Sequence, residues 1–154
     1  MRNGKRRVLS IYFILENFNL ARSLLLNITM SEKEKIIIVD ESGFSRICLS
    51  ILRDEGFPAE VRVHGEMEPH PIGEGVSLLI TSYPYGKALL NRVSNLTVPV
   101  IILVDHVGKE IIDVLEELEN SYCMVKPIDY RRFTLLVKNL VHDTVYQYGG
   151  YSIV

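Results

Sequence analysis

Asp40 and Glu41 stand side by side directly after the apolar run Ile36-Ile37-Ile38-Val39. A short β-branched run without a polar break is the pattern of a strand covered on both faces. In open parallel sheets, ligands sit beyond the carboxyl ends of the strands, so the two acids occupy a place where chemistry is expected. The plainer role for them is to favour the positive end of a following helix, worth roughly 0.3–1 kcal/mol each. Other polar residues close similar runs: Ser82-Tyr83-Pro84 after residues 76–81, Asp105-His106 after 98–104, and Lys126-Pro127 after 122–125. Lys126 is expected to pair with one of the two acids across the top of the sheet, which would balance these charges without any ligand.

Several chemistries lack their parts. A serine hydrolase needs a base and a glycine-flanked nucleophile turn, whereas Ser82 is followed by Tyr83-Pro84 and has no identifiable histidine partner. His64, His70 and His106 match no metal-ligand spacing, and the expectation for them is solvent exposure. Ser42-Gly43-Phe44-Ser45 opens a helix after the first strand, which keeps flavin or nucleotide binding as a low-ranked alternative. One glycine is a weak phosphate cradle, and Asp40 and Glu41 would repel the phosphate.

The elements that position these residues alternate regularly. Phe44, Ile47, Cys48, Ile51 and Leu52 place one apolar stripe on a helix, with Ser42 a candidate cap and Gly56 suited to the left-handed turn after its end. Residues 59–63 read as an edge or half-exposed strand. Residues 64–75 contain two prolines and three glycines, which predicts a loop in place of a helix. Ala88, Leu89, Leu90 and Val93 mark a short helix, Ile111 to Leu118 a second amphipathic one, and Phe133 to Val141 a long last helix. Strands alternating with helices predict an α/β fold: a three-layer, doubly wound sheet of five parallel strands with right-handed crossovers.

The chain has 154 residues, 47% hydrophobic and 23% charged, with a formal net charge of -2. This suits one domain and gives no polyanion-binding signature, so neither nucleic acid nor a membrane is an expected partner. Cys48 and Cys123 lie within apolar patterns and are too few for a disulfide scaffold, which fits a reducing cytoplasm. Residues 1–29 form a basic and apolar N-terminal extension. They read as an added amphipathic segment or as a mis-assigned start, with Met30 favoured as the true start, followed by Ser31-Glu32-Lys33-Glu34. The expected organisation is therefore an extension at 1–29, a domain at 30–147 and a tail at 148–154 that ends the last helix.

The residues Ile36-Ile37-Ile38-Val39-Asp40-Glu41, the run Val98-Pro99-Val100-Ile101-Ile102 and Val125-Lys126-Pro127 together resemble a response-regulator receiver domain of the CheY-like kind, over about residues 33–147. In that family the acids after the first strand hold magnesium, an aspartate after the third strand accepts a phosphoryl group, and a lysine before proline contacts the phosphate. Hard magnesium prefers carboxylate oxygen, and a lysine and a hydroxyl stabilise the transferring charge. Carried over by position, the resemblance puts Asp40 and Glu41 at the metal, Lys126 at the phosphate, Ser82 at the acceptor and Val104 at the switch. Ser82 is neutral and cannot form an acyl phosphate, and Val104 cannot donate a hydrogen bond. The aromatic coupled to the switch matches Cys123, with Tyr122 next door facing the opposite side.

The resemblance therefore implies a pseudo-receiver: not an enzyme, and a phosphorylation-independent adaptor in two-component, phosphorelay-type signalling that acts by protein–protein contact. No cofactor is implied, with Mg2+ only if the acidic pair still works. The implied partner is a signalling protein or a second copy, held through the face formed by residues 111–141. Its Glu116, Glu117 and Glu119 complement Arg131, Arg132 and Lys138. The alternative is a receiver that still accepts phosphate at a non-standard residue, for instance Asp105.

Overall fold

The computed structural model describes residues 35–63, 72, 75–94, 97–142 and 150–154. Its strands are β1 (Lys35–Val39), β2 (Ala59–Val61), β3 (Val76–Ser82), β4 (Val100–Val104), β5 (Ser121–Val125) and β6 (Tyr151–Ile153). Four helices lie among the described residues: α1 (Ser42–Asp54), α2 (Lys87–Val93), α3 (Lys109–Glu116) and α4 (Tyr130–Val141). The strands make one sheet in the order β2-β1-β3-β4-β5-β6, every pairing parallel.

The unbroken apolar runs are explained by what covers them. Ile36, Ile38, Leu78, Ile80, Ile101 and Leu103 pack with α1 and α4 on one face. Ile37, Val39, Leu79, Val100, Ile102 and Val104 pack with α2 and α3 on the other. Successive residues of a strand point to opposite faces, so a strand with helices on both sides must be apolar at every position. The doubly wound architecture expected from the sequence is present.

One part of that expectation is corrected. Among the described residues the sheet has six strands, not five: α4 already ends at Val141, and residues 151–153 of the tail add β6 alongside β5. At the opposite edge β2 is shorter than expected, stopping at Val61, which is exposed together with Val63. Glu60 in β2 takes Lys35 at 3.0 Å and Arg62 at 2.7 Å. These hydrogen bonds, that from Lys35 foremost, hold its carboxyl below the usual carboxylate range.

Helix ends follow local chemistry. Gly56, at φ +84°, takes the left-handed conformation after α1. Asp129 caps α4 by accepting from the amides of Arg131 at 2.9 Å and Arg132 at 3.2 Å. The expected side-chain cap at the start of α1 is not made: Glu41 is its N-cap residue without a side-chain cap bond, and Ser42 is its first helical residue. The extension 1–29, the start Met30, His64, His70 and most of the 64–75 stretch lie outside the described residues. No described helix is long and apolar enough to cross a membrane.

Candidate functional site

The register of β1 against β3 builds the centre of the site. Val39 pairs with Thr81, so the next residue of each strand, Asp40 and Ser82, meet at the carboxyl end of the sheet. The Ser82 hydroxyl donates to Asp40 Oδ1 at 2.5 Å, and the Glu41 amide donates to the same oxygen at 2.7 Å. Asp40 is only 6% exposed and Ser82 4%, and Asp40 Oδ2 is buried with no hydrogen-bond partner. Glu41 is exposed.

The backbone around Ser82 is held from two directions. Thr81 Oγ1 donates to Val39 O at 2.6 Å, tying the two strand ends together, and the Gly86 amide donates to Ser82 O at 2.7 Å. Gly86 lies so close that a Cβ there would run into Thr81 Oγ1 and Ser82 O, which only a glycine avoids. Neither Thr81 nor Gly86 was singled out by sequence. A buried hydroxyl next to a strand-end position was the available signal for Thr81, whereas the close approach at Gly86 leaves no mark in the sequence.

Lys126 does not pair with Asp40 or Glu41 as expected. Its Nζ lies 3.6 Å from Asp105 Oδ1 and 5.7 Å from the centroid of the Phe44 ring. The reason is register: Val104 pairs with Val125, so Asp105 and Lys126 follow adjacent strand ends, while Asp40 follows β1, two strands beyond β4. With strands about 4.8 Å apart, the nearer acid takes the ammonium. The pair is partly exposed, and a contact of this kind is worth about 0–1 kcal/mol.

Val104, at the expected switch position, is buried among the apolar residues under α2 and α3. Cys123 points into that same cluster and Tyr122 into the opposite one, as the strand alternation requires. A cleft of about 420 Å³ opens between Tyr83 and Pro84 on one side and Asp105, His106, Lys109 and Glu110 on the other, with the Tyr83 hydroxyl donating to Glu110 at 3.1 Å. His106 is exposed, as expected.

On the α1 side, Cys48 is 1% exposed. Burial, and then the nearby Asp40 carboxylate, push its thiol up to about 12, so it stays protonated and unreactive at neutral pH. Burial likewise raises the Cys123 thiol and the Tyr122 phenol.

The donor set does not fit a receiver-type magnesium cage. Asp40 offers one unpartnered oxygen, Glu41 lies in solvent, and Ser82 supplies a neutral hydroxyl already committed to Asp40. Among the described residues no group of three His, Cys, Asp or Glu side chains is placed to hold a metal together. The arrangement is a closed hydrogen-bonded pair of side chains beside a surface ion pair. It has no acyl-phosphate acceptor at the third strand's end.

No family model and no curated protein matches the chain in sequence. Solved structures do match in shape. A CheY-like response-regulator receiver domain protein from Methanospirillum hungatei superposes with a TM-score of 0.59 at 18% identity, over 71% of this chain and 94% of that one. A two-component response regulator from Clostridium difficile gives 0.57 at 15%, over 73% and 98%. A CheY-like response regulator from Mesorhizobium loti gives 0.53 at 21%, over 70% and 99%. The chain has the receiver-domain fold, extended here by β6.

Proposed function

We propose that the chain is a signalling module of two-component type that keeps the receiver scaffold but works without phosphoryl transfer, through contacts with protein partners. The observation that carries this is the Ser82–Asp40 hydrogen bond of 2.5 Å. It fills the acceptor position with a neutral group, and it uses one of Asp40's carboxylate oxygens. Val104 adds to it, because a buried valine cannot report a phosphate by hydrogen bonding. A reducing, cytoplasmic setting goes with two buried thiols.

Partner contact is assigned to the face of residues 111–141. Glu116, Glu117 and Glu119 are exposed at one end of it, and Arg131, Arg132 and Lys138 along α4. Tyr130 and Leu135 on α4, 44% and 59% exposed, supply the apolar contact that charge alone would not. β6 now forms part of this face, since it runs along the free side of β5.

One observation favours a second reading, in which Asp105 accepts phosphate. Its carboxylate is exposed, Asp105 lines the Tyr83–Glu110 cleft, and Lys126 Nζ lies 3.6 Å away. The two readings separate when magnesium and a beryllium fluoride phosphate mimic are added and backbone amide resonances are followed. Unchanged resonances at Asp40, Ser82, Val104 and Asp105 are expected. Saturable shifts at any of them would overturn phosphorylation independence, and shifts centred on Asp105 would establish the alternative.

A further inference from the structure

The feature that neither the acidic site nor a five-stranded receiver sheet accounts for is β6. It pairs with β5 through three residues: Tyr151 with Ser121, Ser152 with Tyr122, and Ile153 with Cys123. At its far end the Val154 amide donates to Cys123 O at 2.8 Å, while at its near end the Ser121 amide reaches Gly150 O only at 3.5 Å. Tyr151 packs on the cluster under α2 and α3, and Val154 on the cluster under α1 and α4. The seat is therefore specific, with one anchor for each face of the sheet. The strand filling it is nevertheless three residues long, with Ile153 51% exposed.

Short peripheral strands open at a fraction of the free energy of global unfolding. When β6 leaves, the β5 edge presents unpaired amides and carbonyls between two apolar anchor sites. A parallel strand with an aromatic residue at one position and an aliphatic one three residues later satisfies both needs. The segment that fits is already known, Gly150–Val154, and every copy of the chain carries it.

We infer that β6 is an exchangeable strand: the β5 edge of one copy accepts residues 150–154 of a second copy, and the reciprocal contact closes a two-fold, strand-swapped dimer. Seven residues, 143–149, separate the last described residue after α4 from Gly150 and span at most roughly 25 Å when extended. That reach allows a tail to cross between two copies docked along this edge. The strand makes the same contacts in either copy, so protein concentration decides between the closed monomer and the exchanged dimer. Neither Asp40 nor Ser82 takes part, so the inference stands or falls independently of phosphorylation.

A disulfide trap in the full chain tests it. Residues 123 and 153 are register partners, and neighbouring strands hold them within the range a disulfide bridges. The Ile153→Cys chain is incubated over a range of concentrations and then oxidised with oxidised glutathione. Disulfide-linked dimers through Cys123 are expected, their share rising with concentration and vanishing when Tyr151→Asp is added. Disulfides within single chains at every concentration would overturn the inference. A readout without the new cysteine keeps it falsifiable if that variant misfolds. Unlabelled and 15N-labelled wild-type chains are mixed and their native masses taken. Mixed dimers that disappear on deleting residues 150–154 are expected, and monomers alone at high concentration would overturn the proposal.

Discussion

Ser82 Oγ donates to Asp40 Oδ1 at 2.5 Å because β1 and β3 pair with Val39 opposite Thr81, which sets the next two side chains against each other. Both residues are buried, so the bond is screened little, and the other carboxylate oxygen of Asp40 has no partner to compensate for its loss.

Ser82→Ala is expected to destabilise the protein by about 1–3 kcal/mol, the cost of leaving a buried carboxylate with only one of its two donors, the Glu41 amide. In urea unfolding, the Asp40→Ala, Ser82→Ala double variant should lose less than the sum of the single losses. Strict additivity would mean that the two side chains do not interact in solution.

Ser82→Asp places a second carboxylate against Asp40. Like charges at that distance disfavour the charged pair, so the variant should lose at least about 1 kcal/mol of stability without metal. Magnesium should raise its melting temperature and leave that of the wild type unchanged. No switch should follow phosphorylation of the variant, because Val104 still lacks a hydroxyl. Magnesium stabilisation of the wild type to the same extent would contradict the donor-set assessment.

Gly86→Ala drives a methyl into Thr81 Oγ1 and Ser82 O, the atoms that fix the strand end. A loss of about 1–3 kcal/mol is expected, typical of overpacking against atoms that cannot yield. Thr81→Ser should soften that loss by removing the third close atom, Thr81 Cγ2. An unchanged melting temperature for Gly86→Ala would show that this loop moves freely.

The Cys48 thiol gives a pH dependence of known sign. Its folded value of about 12 lies above the ordinary 9.0, so the folded state holds the proton more tightly than the unfolded chain does. Its contribution is fully present below pH 9.0 and is lost as pH rises through about 12. Cys123 and Tyr122 shift in the same direction, so the slope belongs to Cys48 only by difference. Unfolding measured at alkaline pH should therefore be less steep for Cys48→Ala than for the wild type. Equal slopes would remove Cys48 from the account.

The sequence revealed the parts of the fold that rest on continuous local pattern. Ile36 to Val39 and Val100 to Val104 are apolar at every position because helices cover both faces, and that coverage is visible as an unbroken run. Asp40, Glu41, Ser82 and Lys126 were legible as strand-end residues for the same reason. Their partners were not, because register decides them: one step of pairing puts Ser82 on Asp40 and Asp105 beside Lys126. β6 escaped detection because Tyr151-Ser152-Ile153 is too short to show a period and its partner β5 lies 30 residues earlier by the register Ser121↔Tyr151.

Phosphorylation independence is tested most directly by exposing the wild-type chain to acetyl phosphate and magnesium and reading its intact mass, with hydroxylamine treatment to reveal acyl phosphates. The account predicts an unmodified mass for the wild type, with a hydroxylamine-sensitive adduct appearing in Ser82→Asp. A hydroxylamine-sensitive phosphoryl adduct on the wild-type chain, abolished by Asp105→Asn or Asp40→Asn, would contradict it.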